Sequence, residues 1–282
     1  MNEKIKQIDL SDSSIKQISD FLTSVYDDKK KFNYDYLSWL YRDNPDGEII
    51  GFNAFDKDNN IIAHYALLPK LANFQNKNIK IALSINTATS KNAQGKGYFK
   101  KLANLSYDLA RDLGIEKIIG VANQNSLHGF INSLGFKKIC ELEARISFLM
   151  FVKKNKSSNN SIFKLVYDQN RINWRLSNPN KKYKILNKKH QIIYTDTNIF
   201  FRLIMMIFTE QKTTVQNSYI NLPKIYLWIG NSKVIQWNKF FSFNIPSFLR
   251  PAPLAFIWKD LINDQSISND QLHFECIDFD IF

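Results

Sequence analysis

Cysteine is almost absent from this 282-residue chain. Cys140 and Cys276 provide neither a disulfide framework nor a Cys/His spacing that would hold a metal. Both are expected to be buried thiols in a reducing compartment, and no metal is expected. Long apolar runs are missing too, none approaching the roughly 20 residues needed to cross a bilayer. The opening Met1-Asn2-Glu3-Lys4-Ile5 lacks the apolar stretch of a secretory signal. The expectation is a cytoplasmic protein without a membrane span. Acidic residues are scarce, 26 against 38 Lys and Arg, for a net charge of +12. The shortage is local, because residues 1–152 carry 20 basic and 17 acidic side chains whereas 153–282 carry 18 and 9. Within 153–189 Asp168 is the single acid among eleven bases, which reads either as a solvated lysine-rich face or as a wall for an anionic ligand. No recognition helix, zinc finger or aromatic single-strand platform accompanies the charge, so nucleic acid is not the expected partner.

Aromatic residues are plentiful, with 22 Phe, 12 Tyr and 5 Trp, enough to build the core of one large domain or two ordinary ones. The first half alternates strands and helices. Lys4–Asp9 reads as a strand, and Ser11 or Asp12 caps a helix to about Tyr26. A second helix, Tyr34–Arg42, stops at Asn44-Pro45-Asp46-Gly47. Ile49–Phe55 and Ile61–Leu68 form a hairpin around residues 56–60, and a further strand covers Ile79–Thr89. A helix follows with Phe99, Leu102, Leu105, Leu109 and Leu113 on one face, ended by Gly114 at its C′ position. Lys117–Ala122 is a short buried strand, and Asn125 or Ser126 caps a helix closed by Gly135. From Cys140 to Met150, alternating apolar and polar residues predict one half-buried strand.

Lys153–Ser161 is polar and marks the expected domain boundary. Beyond it, Trp174-Arg175-Leu176-Ser177-Asn178-Pro179 echoes Trp39-Leu40-Tyr41-Arg42-Asp43-Asn44-Pro45. Strand-like sequence follows at Tyr183–Leu186, Gln191–Thr195, Asn198–Phe208 and Ile225–Ile229, with a helix expected near Thr214–Ile220. The echo reads either as chance or as a duplicated half that has lost its glycine turn.

That turn, Gln94-Gly95-Lys96-Gly97-Tyr98-Phe99, is the most specific segment of the sequence. Two glycines between a strand and a helix let several amide N–H groups converge, and the helix N-terminus adds positive potential, which suits a diphosphate. Taken with strand 117–122, the helix from Asn125 and Leu134-Gly135-Phe136, the first 150 residues resemble the GNAT superfamily of N-acetyltransferases. Gln94 and Gly97 fit the loop signature, while Phe99 stands where a small residue is usual.

The resemblance implies an α/β (α+β) fold, a mixed and mostly antiparallel sheet flanked by helices over residues 1–152. It is followed by a linker at 153–161 and a smaller α+β domain at 162–282, read as a degenerate GNAT-like half if the echo is real. It also implies acetyl-CoA as cosubstrate. Gln94, Gly95, Lys96, Gly97, Tyr98 and Phe99 would meet the pyrophosphate, and the strand edge at Thr87, Ala88 and Thr89 the pantetheine arm. A backbone N–H of Ala88 or Thr89 would polarise the thioester carbonyl, and Asn125 would make a second cofactor contact beside its capping role. Ser84 and Asn86 occupy the strand where many members carry a glutamate base, and Ile131 the place of a tyrosine acid. His64, Glu48 and Asp43 are the remaining candidate bases, none supported by spacing; His64 and His128 read first as structural. Because a thiolate with a pKa near about 8.5 leaves readily, direct attack in a ternary complex tolerates loss of the acid better than loss of the base. The expected acceptor is a small amine, anionic if the basic face serves it, such as an amino-sugar nucleotide of surface-glycan synthesis. An inactive binder of CoA or a sugar nucleotide, a longer-chain acyltransferase and a homodimer stay open.

Overall fold

The computed structural model describes residues 4–148, 152–154, 163–185, 192–197, 201–207, 225–250 and 254–279. The helix expected near 214–220 and most of the 153–161 linker lie outside these residues. The chain opens with β1 (Lys4–Gln7), α1 (Asp12–Tyr26) and α2 (Tyr34–Tyr41). The Ser11 side chain caps α1 by accepting from Ser14 N, and Asn33 caps α2 by accepting from Tyr36 N. Then come β2 (Ile50–Phe55), β3 (Ile61–Phe74), β4 (Lys77–Thr89), α3 (Tyr98–Asp112) and β5 (Lys117–Ala122). A short α4 (Gln124–His128) leads into a π-helical turn, Gly129–Ser133. Among the described residues no helix is long and apolar enough to cross a membrane.

Helix α3 buries Tyr98, Leu102, Ala103, Ser106, Tyr107 and Ala110. The expected stripe was rotated from this one, since Leu105 and Leu113 are exposed. Small and aromatic residues join Leu102 on the face toward the sheet, where Tyr107 O–H meets Tyr65 O–H at 2.7 Å. The cap of α4 is also corrected: Asn123 accepts from Ser126 N at 3.0 Å, whereas Asn125 lies exposed on the helix.

The strand expected from Cys140 to Met150 is two strands in two sheets, β6 (Lys137–Glu141) and β7 (Glu143–Ser147). Leu142 between them is buried, its N–H donating to Leu254 O and its carbonyl accepting from Arg250. The alternation is present in the sequence, but the chain turns at Leu142, so one period serves two different surfaces.

After β8 (Val152–Lys154) and β9 (Phe163–Leu165) come α5 (Gln169–Leu176), β10 (Tyr183–Ile185), β11 (Ile193–Asp196), β12 (Phe201–Met206) and β13 (Ile225–Asn231). The chain finishes with β14 (Ile235–Trp237), β15 (Ser242–Asn244), β16 (Ala255–Asp260) and β17 (Phe274–Glu275). The larger sheet runs β1-β2-β3-β4-β5-β16-β6, with β9 on β3; the other runs β10-β11-β12-β13-β7-β15, with β17 on β13. In the first, β2, β3 and β4 are antiparallel and β4 is parallel to β5; β10, β11, β12 and β13 repeat that order and direction. Each sheet then receives an antiparallel strand from the other half of the sequence. β16 enters between β5 and β6, and β7 between β13 and β15. Strands from both sides of residue 153 thus enter each of the two larger sheets.

Two contacts lock this exchange. Lys117 and Asp260, paired across β5 and β16, form a buried ion pair at 3.0 Å. The echoed tryptophans stack at 4.6 Å and bond reciprocally: Trp39 Nε1 donates to Trp174 O at 3.0 Å, and Trp174 Nε1 to Trp39 O at 3.2 Å. The echoed segments thus meet in a self-complementary contact between α2 and α5.

Candidate active site

Strands β4 and β5 pair in parallel over four residues, ending at Ser84 opposite Gly120, and no pairing follows. Beyond that point β4 stays on β3, with a register shift between His64 and Ala66 and Asn86 at φ 49°. β5 continues on β16, to which it is paired along its whole length. The two strands separate, and a cavity of about 410 Å³ opens where they part. Ser84, Ile85, Asn86 and Thr87 line it from β4, with Val121 and Asn123 on the β5 side. Tyr26, Asp28, Lys31, Phe32 and Tyr36 wall it from the α1–α2 region, and Arg175, Leu254, Asp278 and Phe279 from the second half.

The glycine turn lies at the end of β4. Gly95 and Gly97 have φ of 75° and 79°, values that L side chains rarely adopt. A Cβ at either would meet nothing within 4 Å, so their constraint is backbone conformation and their outer face is open. Among the described residues the amides of Gly95, Lys96 and Gly97 donate to no protein acceptor. The first intrahelical bond here is Lys101 N to Gly97 O. Gln94 Nε2 ties the loop back to Thr89 O at 3.4 Å. Lys96 is exposed beside it.

The residues expected to meet the cofactor take different positions in the fold. Tyr98 is buried, so only its main chain faces the turn. Phe99 points inward, edge-on to Phe130 at 5.4 Å, with its ring against Gly129. Thr87 lines the cavity, its carbonyl accepting from Tyr26 O–H at 2.5 Å, but Ala88 and Thr89 are paired to β3 beyond the lining. Asn123 lines the cavity where Asn125 was expected to.

The proposed bases fare differently. His64 is buried, with Nδ1 2.6 Å from Asn53 Oδ1 and Nε2 2.9 Å from Tyr41 O–H. Tyr41 in turn accepts from Asn86 Nδ2 at 3.0 Å, so its own proton goes to Nε2 and the Nδ1–H tautomer is fixed. Burial pushes the imidazole pKa down to about 3, so His64 stays neutral and orients Asn86 instead of taking a proton. Glu48 and Asp43 are exposed and do not line the cavity. Ser84 Oγ donates to Tyr65 O–H at 3.0 Å. Burial pushes Cys140 up to about 11 and Cys276 up to about 12, and neither lines the cavity. Of the described bases in 153–189 only Arg175 reaches the cavity wall. Arg171 pairs with Asp46 and Asp168, and Lys184 with Asp196.

The equivalent opening in the second sheet is filled. Pairing of β12 with β13 also ends after four residues, at Ile204 opposite Trp228. Three residues on, Ile207 N donates to the buried Glu275 carboxyl at 3.2 Å, as does Trp228 Nε1 at 3.0 Å. The position matches Thr87 in the first sheet, and there the chain's own carboxyl occupies the gap.

Residues 5–136 match the model of the acetyltransferase (GNAT) family. Among solved structures, a probable N-acyltransferase from Enterococcus faecalis V583, described as a conserved protein of unknown function, aligns with a TM-score of 0.63 at 9% identity, covering 93% of this chain and 73% of that one. A GCN5-related N-acetyltransferase from Anabaena variabilis ATCC 29413 aligns at 0.58 and 10%, covering 92% and 73%. Saccharomyces cerevisiae N-myristoyltransferase with bound myristoyl-CoA aligns at 0.56 and 7%, covering 91% and 82%. At these identities the likeness is one of fold, and it extends across both sheets. A comparison with curated protein sequences gave no match.

Proposed function

Since residues 5–136 match the model of the acetyltransferase (GNAT) family, we propose that the protein transfers an acetyl group from acetyl-CoA to a small primary amine by direct attack in a ternary complex. The observation that carries this reading is the set of unpaired amides at Gly95, Lys96 and Gly97, one strand's end from an open cavity between β4 and β5. These amides and the α3 N-terminus hold the pyrophosphate. The pantetheine arm lies along the separated edge of β4, whose cavity-facing residues are Ser84–Thr87. A main-chain N–H of this stretch polarises the thioester carbonyl, a contribution on the order of 3 kcal/mol. No thiolate is available for a covalent acyl-enzyme, because both cysteines are held protonated and away from the cavity, which supports direct attack.

Arg175 and Lys31 on the wall support an acceptor with an anionic group, such as an amino-sugar nucleotide. Leu40, Leu68, Leu83 and Phe130 on the same wall favour a second reading, a longer acyl chain. Thiol release from acetyl-, succinyl- and fatty-acyl-CoA, with amino-sugar nucleotides, amino acids and polyamines as acceptors, separates these readings. Acetyl-CoA with an anionic amine is the expected best pair. Turnover confined to neutral or polycationic amines rejects the anionic acceptor. Tight CoA binding without any thiol release identifies an inactive binder. The Gly97→Trp variant is expected to lose acetyl-CoA affinity by at least 100-fold in calorimetry, and retained affinity removes the loop from the site.

A further inference from the structure

Of the two carboxylates on the cavity wall, Asp28 and Asp278, only Asp278 is buried, and it comes from the far end of the sequence. Resting on the acyl-transfer reading, we propose that the Asp278 carboxylate takes the proton of the acceptor ammonium, acting as the general base at the site where β4 carries none. Asp278 lines the same cavity as Ser84, Asn86 and Thr87, the stretch expected to face the thioester. Its orientation is fixed on both oxygens. Oδ1 accepts from Tyr167 O–H at 2.8 Å, and Oδ2 accepts from Glu275 N at 2.6 Å. Each oxygen keeps a lone pair for the substrate.

The surroundings suit a proton acceptor near neutral pH. Burial raises the pKa to about 6, opposed by the Glu275 amide, the Tyr167 hydroxyl, and the charges of Lys70 on β3 and Arg175 on α5. The neighbouring Glu275 carboxyl is itself held protonated up to about 8 by burial. Asp278 is therefore anionic at neutral pH yet basic enough to receive a proton.

The step balances without another reagent. R–NH3⁺ gives a proton to Asp278, and the freed nitrogen lone pair forms the C–N bond at the thioester carbonyl. The C–S bond breaks with its electron pair on sulfur. The thiolate takes the second nitrogen proton as CoA-SH, and Asp278 releases the first to solvent.

The test is the pH dependence of kcat/KM for the whole protein with acetyl-CoA and its best amine from the panel, alongside Asp278→Asn and Tyr167→Phe. Asp278→Asn is expected to lower kcat by 100-fold or more, with acetyl-CoA affinity by calorimetry unchanged. Tyr167→Phe removes a bond that favours the anion, so the acidic limb of the profile moves to higher pH while the plateau stays within a few-fold. A structural role for Asp278 would not move that limb. Wild-type turnover with an Asp278→Asn variant of equal rate, or an unshifted limb in Tyr167→Phe, overturns the assignment alone. Should Asp278→Asn fail to fold, the limb in Tyr167→Phe decides. Absence of thiol release from the wild type with every acyl-CoA and amine overturns the acyl-transfer reading and this base with it.

Discussion

His64 and Glu275 are buried side chains whose titration opposes each other. Folding holds His64 neutral, with its pKa lowered from 6.5 to about 3, so between these values the unfolded chain binds the extra proton. Stability from this residue is complete above about pH 6.5 and falls as pH drops, by roughly 2 kcal/mol at pH 5. Glu275 has the reverse sign. Its pKa is raised from 4.5 to about 8, so between these values the folded chain holds the extra proton and stability falls as pH rises. In urea titrations Glu275→Gln is expected to leave stability at pH 4 nearly unchanged and to raise it at pH 9 relative to the wild type. An equal difference at both pH values would mean that Glu275 does not titrate in this window. Neither side chain announces itself in the sequence. His64 reads as a lone histidine because Tyr41 and Asn53, which bond it, and Asn86, which bonds Tyr41, come from other strands and a helix. Asp278, the residue with most bearing on catalysis, sits in a sequence context without a motif and reaches the cavity only through tertiary packing.

The segment after β5 shows what sequence pattern settles within an element and what it does not. A strand, a turn and a short helix at the edge of the cavity were legible from composition, as were β4, the glycine turn and α3. Which polar residue caps α4 was not, because Asn123, Asn125 and Ser126 are all suitable types, and the choice depends on where β5 ends against β16. Asn123 caps α4 and lines the cavity at once. Asn123→Ala is expected to lower stability by about 1 kcal/mol and to weaken acetyl-CoA binding several-fold, measured by thermal melting and calorimetry. Asn125→Ala, on the exposed side of α4, is expected to change neither. Apolar counting on α3 failed for a related reason. The sheet it packs on is crowded by Tyr65 and Phe136, so it accepts Tyr107, Ala103 and Ala110, and leaves two leucines in solvent.

At the scale of the molecule, neither half carries a finished sheet of its own. The β5–β6 gap is filled by β16, and the β13–β15 gap by β7. Chemical unfolding is therefore expected to be one cooperative transition, seen alike by tryptophan fluorescence and far-ultraviolet circular dichroism. Asp260→Asn leaves the buried Lys117 with only Glu116, at 3.9 Å, as a charged partner and is expected to cost about 3 kcal/mol, lowering the single midpoint instead of splitting it. Two separated transitions would show that the halves are independent. This interlocking could not be read from the sequence. The Trp/Arg/Asn-Pro echo pointed to a repeat, but a repeat in tandem and a repeat with exchanged strands have the same sequence. The stacked pair Trp39 and Trp174 distinguishes them only once it is seen in three dimensions.

The exchange also fixes an order of events during synthesis. The first sheet has β6 in hand early, yet its place beside β5 waits for β16, which is translated long after. At about 5–20 residues per second the nascent chain carries two unsatisfied sheet edges for a time on the order of ten seconds. Edges of this kind template the wrong partner. Slow refolding, with aggregation at high concentration after denaturation, is the expected consequence of the strand that arrives last.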